Sequence, residues 1–206
     1  FTDNALGTAL IQRRTIDEDD RSTVFWSSAG IGVLLALGGW ALSGPLAAFY
    51  GEPEVKPLFI VLSISFFIAT LGTTQSALLV RDMHFRALEL RQMAATVVGA
   101  IAGIAVAVKG GGAWAIVVQQ LADATTSTII LWIITPWRPK LIFSTASIRR
   151  LGGFAGNVFG ENLLYQAGRN IANLLIGRFI GAAALGAYSL ATNVILVPFS
   201  RIAAPL

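Results

Sequence analysis

The sequence predicts an all-α membrane protein built as a polytopic helical bundle. Hydrophobic residues make up 55% of the 206 residues, not counting 21 glycines. Only 13% of the residues are charged, about half the share in a typical soluble domain, and the mean hydropathy is +0.70. Uncharged apolar stretches long enough to cross a bilayer also recur along the chain. Together these observations exclude an ordinary soluble domain.

The composition also excludes several kinds of chemistry. With no cysteine and one histidine, disulfide frameworks, thiol nucleophiles and Cys/His metal sites are ruled out as a class. Gly110–Gly112 follow Lys109, whereas an ATP-binding P-loop places its glycines first, and His84 has no nucleophile-elbow motif to serve. We therefore expect no metal, no cofactor and no enzymatic activity.

A transmembrane helix needs about 20 residues to cross about 30 Å of hydrocarbon. This criterion predicts about six full or nearly full spans, which are Val24–Tyr50, Pro57–Val80, Met93–Val108 with an extension back through Ala87, Ala113–Thr135, Gly152–Gly177 and Ala183–Ser200. Phe1–Ile11 have the composition of the last turns of a further helix. Since residue 1 is Phe and no basic segment precedes it, we expect a fragment of a longer protein and no signal peptide.

The basic residues predict on which side of the membrane each connection lies. Only Lys56, Lys109 and Arg178 fall in one set of alternate connections. The other set holds Arg13, Arg14, Arg21, Arg81, Arg86, Arg91, Arg138, Lys140, Arg149 and Arg150. Because Lys and Arg concentrate in cytoplasmic loops, this second set is expected in the cytoplasm. Topology thus accounts for the net charge of +4, and no nucleic acid is expected as a partner.

Two local patterns predict how helices begin and pack. Thr15 and Glu18 have the spacing of a capping box, which would start the helix that enters the membrane at Val24. Small residues four apart let helix backbones approach closely inside lipid, so they predict packing within the chain or, alternatively, dimerisation. These residues are Gly99 with Gly103, Gly152 with Gly156 and Gly160, and Gly177 with Gly181.

Polar side chains inside the predicted spans are the candidate functional residues, because a charge within a bilayer usually faces a bundle interior or a watery cavity. In the span 152–177 one arc of about 60° holds Asn162, Gln166, Arg169 and Asn173. Tyr165 borders this arc and Glu161 lies further round it. Leu164, Ile171 and Leu175 point the opposite way, toward lipid or neighbouring helices.

A second polar arc, of about 120°, lies near mid-depth in the span 113–135. It is formed by Gln119, Gln120, Asp123, Thr126 and Ser127. Asp123 is the carboxylate expected to meet Arg169. Two interpretations stay open: an interhelical network that only fixes packing, or two helices lining a hydrophilic cavity for a polar, anionic group. Arg201 and Asp3, near the ends of their helices, belong to the same set, with a structural or interfacial role as the alternative.

Six segments, taken in order and spacing, resemble the early spans of bacterial polysaccharide repeat-unit flippases of the Wzx type. They are Ala9–Arg13, Ser22–Trp26, Ala47–Glu54, Ala77–Arg86, Trp132–Pro139 and Asn170–Ser189. The chain departs from the family pattern at His84, where relatives often carry Lys or Arg.

The resemblance implies the fold of the multidrug/oligosaccharidyl-lipid/polysaccharide exporters, with about fourteen helices in two lobes. Residues 1–150 would belong to the N-terminal lobe, from the end of its second helix to the sixth helix and the following loop. Residues 151–206 would start the C-terminal lobe with the seventh and eighth helices.

The resemblance also implies a function, the flipping of a lipid-linked oligosaccharide repeat unit across the bacterial cytoplasmic membrane by alternating access. The expected partners are this oligosaccharide on its polyprenyl pyrophosphate carrier, membrane lipids and other polysaccharide assembly proteins. Arg169 would bind the pyrophosphate. The other expected substrate-binding residues are Asn162, Gln166, Asn173, Tyr165 and Arg201, and the expected ion-coupling residues are Asp123, Glu161 and Asp3.

Three alternatives remain at the level of sequence. The first is export of another cargo, either a peptidoglycan lipid precursor or a drug. An exporter of cations would be expected to have a cavity dominated by carboxylates, whereas the strongest charge within the predicted spans is Arg169. A membrane-embedded glycosyltransferase or polymerase would need an acid or base on a long outside loop, and the predicted outside loops are short. A membrane assembly subunit without transport is the third alternative.

Overall fold

The structure, a computed structural model, describes residues 5–12, 16–145, 164, 168, 171, 173, 175–181 and 184–192. Within these residues every regular element is helical, which confirms the predicted all-α class. The elements are α1 (Ala5–Gln12), α2 (Glu18–Tyr50), α3 (Val55–Thr70), α4 (Thr73–Arg81), α5 (Phe85–Val108) and α6 (Trp114–Ile134). Residues 175–179 and 184–192 are also helical.

Three of the described helices, α2, α5 and α6, are long and apolar enough to cross a membrane, and the bent pair α3 and α4 makes a fourth if it counts as one span. The ends of these elements agree with those of the first four predicted spans to within two residues, except that α2 begins six residues before Val24. The predicted spans that begin at Gly152 and Ala183 lie largely outside the described residues. The count of about six spans and the fourteen-helix architecture stay predictions.

The start of α2 differs from the expected capping box. The N-cap is Asp17, whose backbone N–H lies 3.5 Å from Oδ2 of Asp20, and Glu18 is the first helical residue. The prediction from Thr15 and Glu18 was therefore wrong by two residues. The reason lies in the run Asp17–Asp20, which offers a second pair at the same spacing and places three carboxylates at the positive end of the helix dipole.

Helices α2 and α3 pack through glycines that face hydroxyl side chains. A Cβ added at Gly39 would lie 2.5 Å from Cβ of Ser63, and one added at Gly32 would overlap Thr70. Glycine at both positions lets the two backbones approach closely, the packing device expected inside lipid. The seven-residue spacing of these glycines differs from the four-residue spacing used in the sequence analysis, which did not identify them.

Helices α3 and α4 are separated by a break at Leu71 and Gly72 and are bent by 40°. The predicted span Pro57–Val80 is thus formed by two helices rather than by one unbroken helix. Helix α6 stabilises the break, because Thr128 Oγ1 donates to the Ile68 carbonyl (3.0 Å) and Trp132 Nε1 donates to the Leu71 carbonyl (3.0 Å). A Cβ at Gly72 would lie 2.7 Å from Leu131, so glycine permits this close approach of α6.

The helix ends fall into two groups, and Arg81 and Arg178 lie at opposite ends, as the alternation of connections predicts. At one end, called the basic end here, Arg81 Nη1 donates to the Leu10 carbonyl at 3.0 Å and joins α4 to α1. The ends of α2 and α6 meet at the same place, where Trp137 Nε1 donates to Oε1 of Glu18 at 2.7 Å. At the opposite end, Arg178 Nη1 donates to the Phe49 carbonyl at 2.6 Å.

The segment that follows α6 crosses the first turns of α2. Trp26 Nε1 donates to the Lys140 carbonyl at 2.8 Å, and the backbone N–H of Ser144 donates to Oγ1 of Thr23 at 3.0 Å. The ring of Phe25 packs edge-on against Trp26, Trp132 and Trp137 at centroid distances of 5.3, 6.0 and 6.3 Å. The connection after α6 is thus fixed to α2 at the basic end.

Candidate functional site

The interface between α5 and α6 combines a small face with a polar face. Ala95, Gly99 and Gly103 recur every four residues on α5 and are buried. A Cβ at Gly99 would lie 2.9 Å from the Gln119 carbonyl oxygen, and one at Gly103 would lie 2.9 Å from the Gln119 Cβ. The predicted packing role of Gly99 and Gly103 is confirmed, and it brings the polar arc of α6 directly against α5.

Five side chains join the two helices in a continuous chain of hydrogen bonds, called the α5–α6 polar network here. Arg91 Nη1 donates to Oγ of Ser127 (3.0 Å) and its Nη2 donates to Oε1 of Gln92 (3.4 Å). Gln92 Nε2 in turn donates to Oγ1 of Thr96 at 3.3 Å. The Thr96 hydroxyl then donates to Oδ1 of Asp123 at 3.4 Å. The network therefore contains one cation and one carboxylate, linked through the neutral side chains of Gln92 and Thr96, with Ser127 as a further neutral acceptor for Arg91.

The carboxylate lies near the middle of the span. Thr96 is eleven residues after Phe85, the first residue of α5, and Asp123 is eleven residues before Ile134, the last of α6. At about 1.5 Å per residue both lie about 16 Å from the basic end, close to half of a hydrocarbon layer about 30 Å thick. Arg91 is six residues into α5, or about 9 Å from that end.

Three residues of the network, Arg91, Gln92 and Thr96, were not predicted from the sequence, and Arg91 is the one that carries a charge. The positive-inside rule assigned it to a cytoplasmic connection, but it lies inside α5 and its side chain reaches α6. The available signal was its spacing, since Arg91 is four residues before Ala95 and so shares the face of Gly99 and Gly103.

The other predicted site residues have different outcomes. Seven lie outside the described residues: Asp3, Glu161, Asn162, Tyr165, Gln166, Arg169 and Arg201. The pairing of Asp123 with Arg169 therefore stays a prediction. Asn173 is helical and half-buried, whereas Leu164, Ile171 and Leu175, expected on the opposite face of that helix, are exposed. On α6, Gln119 and Gln120 are exposed, and Asp123, Thr126 and Ser127 are half-buried.

A groove of about 420 Å³ lies elsewhere, beside the break between α3 and α4. Its lining is mainly apolar and consists of Leu71, Thr128, Ile129, Trp132, Ile133 and Arg138. The Arg138 guanidinium is held by backbone carbonyls, including that of Trp132 at 2.8 Å, and it stacks over the Trp132 ring. We therefore take the polar network rather than this groove as the candidate site. In the part of the chain that the structure describes, no group of three or more His, Asp or Glu side chains is placed to hold a metal ion.

Comparison with known proteins gives a consistent set of relatives. The teichuronic acid biosynthesis protein TuaB of Bacillus subtilis is 32% identical over 203 residues, which cover 97% of this chain and 42% of that protein. The succinoglycan biosynthesis transport protein ExoT of Rhizobium meliloti is 26% identical over 193 residues, or 94% of this chain and 39% of the relative. The lipopolysaccharide biosynthesis protein WzxC of Escherichia coli is 24% identical over 200 residues, or 96% and 41%. No solved structure matches the chain.

The chain thus spans about two fifths of the length of these relatives. Its apolar helices and its relatives identify it as part of a multi-pass protein of the bacterial cell membrane. The family described as polysaccharide biosynthesis protein matches residues 1–206, the whole of the sequence. The chain therefore belongs to the polysaccharide biosynthesis protein family.

Proposed function

We propose that the protein containing this chain flips a lipid-linked oligosaccharide repeat unit across the bacterial cytoplasmic membrane by alternating access. The observation that carries this proposal is the α5–α6 polar network, in which Arg91 and Asp123 lie inside two helices of spanning length. The relatives support the saccharide class of the cargo, because their names refer to teichuronic acid, succinoglycan and lipopolysaccharide, and ExoT is named a transport protein.

The depth of the network favours transport over packing alone. A charged side chain near the centre of a bilayer costs about 2.5–3.5 kcal/mol on insertion scales. Packing of α5 on α6 already follows from Ala95, Gly99 and Gly103. A polar chain that reaches from about 9 to about 16 Å below the basic end offers exchangeable hydrogen bonds along the route a sugar would take.

In this proposal the basic end faces the cytoplasm. Residues 1–150 belong to the N-terminal lobe and residues 151–206 begin the C-terminal lobe, and rocking of the lobes exposes the site to each side in turn. Arg169 pairs with the carrier's pyrophosphate. Asn162, Tyr165, Gln166, Asn173 and Arg201 bind the oligosaccharide, and Asp123, Glu161 and Asp3 couple translocation to an ion gradient. Such a cycle changes no covalent bond, so the protein is not an enzyme.

Translocation by the full-length protein in proteoliposomes tests the proposal directly. A fluorescent lipid-linked oligosaccharide is supplied in both leaflets, and a membrane-impermeant quencher reports the fraction that changes leaflet. We expect translocation by the wild-type protein and its loss in Arg169→Ala. Arg86→Gln removes the same charge from an exposed position on α5, and it is expected to leave translocation intact.

Each other outcome selects an alternative. If a peptidoglycan lipid precursor or a cationic drug moves while the oligosaccharide does not, the cargo assignment is wrong. If no lipid moves in a folded wild-type protein, the assembly subunit is favoured. Undiminished flipping by Arg169→Ala removes Arg169 from the site, and failure of this variant to insert assigns it a structural role.

A further inference from the structure

Arg91 stands at the head of a stripe of small residues. Arg91, Ala95, Gly99 and Gly103 are four residues apart and lie along one face of α5, which packs on α6. The last three are buried. The α5–α6 interface therefore requires small side chains on α5, and Arg91 departs from that requirement at the position nearest the basic end.

The Arg91 side chain stays within the helix pair. An arginine this close to a helix end usually extends along its own helix toward the headgroups. Arg91 instead crosses to α6, where Nη1 donates to the half-buried Ser127 at 3.0 Å. The guanidinium is thus held inside the polar network, about 9 Å below the basic end.

Within the described residues, this guanidinium donates only to neutral acceptors. Besides Ser127 they are Oε1 of Gln92 at 3.4 Å and the Leu88 carbonyl at 3.5 Å, both near the upper limit for a hydrogen bond. Among the contacts of the described residues, none joins a carboxylate oxygen directly to Arg91. Asp123 lies one helical turn from Ser127 and is joined to Arg91 through Thr96 and Gln92.

We propose that Arg91 is a phosphate-binding residue near the basic end of the α5–α6 pair, and that the Asp123 carboxylate competes with the phosphate for its guanidinium. A phosphate oxygen pair matches the guanidinium fork, and a bond in which both partners are charged replaces weak bonds to neutral groups. The natural ligand expected for Arg91 is the pyrophosphate of the lipid carrier, and in this one respect the inference rests on the proposed function.

This competition predicts whether a substitution at Arg91 or at Asp123 lowers or raises the affinity for a phosphate. Loss of the Arg91 guanidinium removes the binding group, so affinity for a phosphate falls. Loss of the Asp123 charge removes the competitor while the isosteric amide preserves the shape, so affinity rises. Because both effects act through one guanidinium, the double variant should bind as weakly as the Arg91 variant alone.

Binding to the full-length protein in nanodiscs tests this inference without requiring transport. The probes are a polyprenyl pyrophosphate without sugar, phosphatidylglycerol and inorganic pyrophosphate, whose comparison distinguishes the carrier from a membrane lipid and from a free anion. We expect Arg91→Gln to weaken binding of the preferred probe about tenfold or more, and Arg91→Lys to retain part of it. Asp123→Asn should strengthen binding severalfold, and Arg91→Gln with Asp123→Asn should match Arg91→Gln. Arg86→Gln, on the same helix and exposed, should bind as the wild type does.

Two results would overturn the inference: equal binding by Arg91→Gln and Arg86→Gln, or no gain in affinity for Asp123→Asn. If Arg91→Gln does not fold, the other two variants still test the inference. Arg91→Lys should then bind the probe more weakly than the wild type, and Asp123→Asn should bind it more tightly. Binding through Arg91 in a wild-type protein that translocates nothing would defeat the proposed function and leave the phosphate site standing. Translocation with no role for Arg91 in binding would defeat only the phosphate site.

Discussion

The α2–α3 and α5–α6 interfaces use the same packing device and differ in their hydrogen bonds. Both bring backbones together at glycines, such as Gly39 in one and Gly99 in the other. In the α2–α3 interface the hydroxyls of Ser43, Ser63 and Thr70 donate to carbonyls three residues earlier in their own helices. One bond does cross between α2 and α3, from Trp40 Nε1 to the Ile60 carbonyl at 3.2 Å, but it joins two neutral groups. In the α5–α6 interface Arg91 and Thr96 donate across to α6, and the bond from Thr96 ends on a carboxylate.

This contrast separates packing from function. A hydroxyl bonded within its own helix is satisfied whether or not the neighbour is present, so the α2–α3 interface needs no further partner inside lipid. The α5–α6 network depends on both helices keeping their register and holds two charges that glycine packing does not require. Variants that disturb the packing of one interface or the hydrogen bonds of the other test whether the α5–α6 interface serves transport.

The largest effect is expected from Gly99→Ala. A Cβ there would lie 2.9 Å from the Gln119 carbonyl oxygen and 3.2 Å from the Asp123 Cβ. Because a backbone atom cannot move aside as a flexible side chain does, α6 must shift, and the 3.4 Å bond from Thr96 to Asp123 is lost. We expect a loss of about 1–3 kcal/mol in stability and a fall in translocation of about tenfold or more.

Thermal denaturation and proteoliposome flipping of the full-length protein measure the two effects of Gly99→Ala. Gly30→Ala is the control, since an added Cβ at Gly30 meets nothing within 4 Å. If Gly99→Ala loses stability but translocates at the wild-type rate, the polar network serves packing only.

An effect on stability without an effect on translocation is expected from Gly39→Ala. Its Cβ would lie 2.5 Å from the Ser63 Cβ, which forces α3 away and costs about 1–3 kcal/mol. The adjacent Gly38 has open space around an added Cβ, so Gly38→Ala should be neutral or stabilise α2 by up to about 1 kcal/mol. Melting temperatures of the two variants in detergent give the comparison. The protein that remains folded should still translocate, and equal melting temperatures for Gly38→Ala and Gly39→Ala would contradict the assigned α2–α3 contact.

The sequence predicted the features that depend on local composition. The first four spans follow from runs of apolar residues, and Asp123 was found because its polar neighbours share one helical arc. The break between α3 and α4 was missed because it depends on Thr128 and Trp132 of a distant helix. A local signal was nevertheless present in the polar run Gly72–Ser76.

Arg91 was missed for a different reason. Its charge already had a sufficient explanation in the positive-inside rule, which uses position along the chain and takes no account of helix faces. Only its spacing from Ala95 and Gly99 indicates that it faces α6. A basic residue within two turns of a predicted span is therefore best compared with the small-residue stripe before it is assigned to a loop.

The smallest effect is expected from Ser63→Ala, and it is compared with the effect of the same substitution at Ser127 in the other interface. Ser63 is buried, but its hydroxyl donates to the Ile60 carbonyl at 2.7 Å within α3. Removing a hydroxyl bonded within its own helix should change stability by about 0.5 kcal/mol or less.

Ser127 instead accepts a bond from Arg91 on another helix, so Ser127→Ala leaves a guanidinium without its shortest contact and should cost about 1.5–3 kcal/mol. Melting temperatures of the two variants compare one chemical deletion in the two interfaces. Equal shifts would mean that hydrogen bonds across α5 and α6 contribute no more than those within α3, and the distinction between the interfaces would then rest on charge alone.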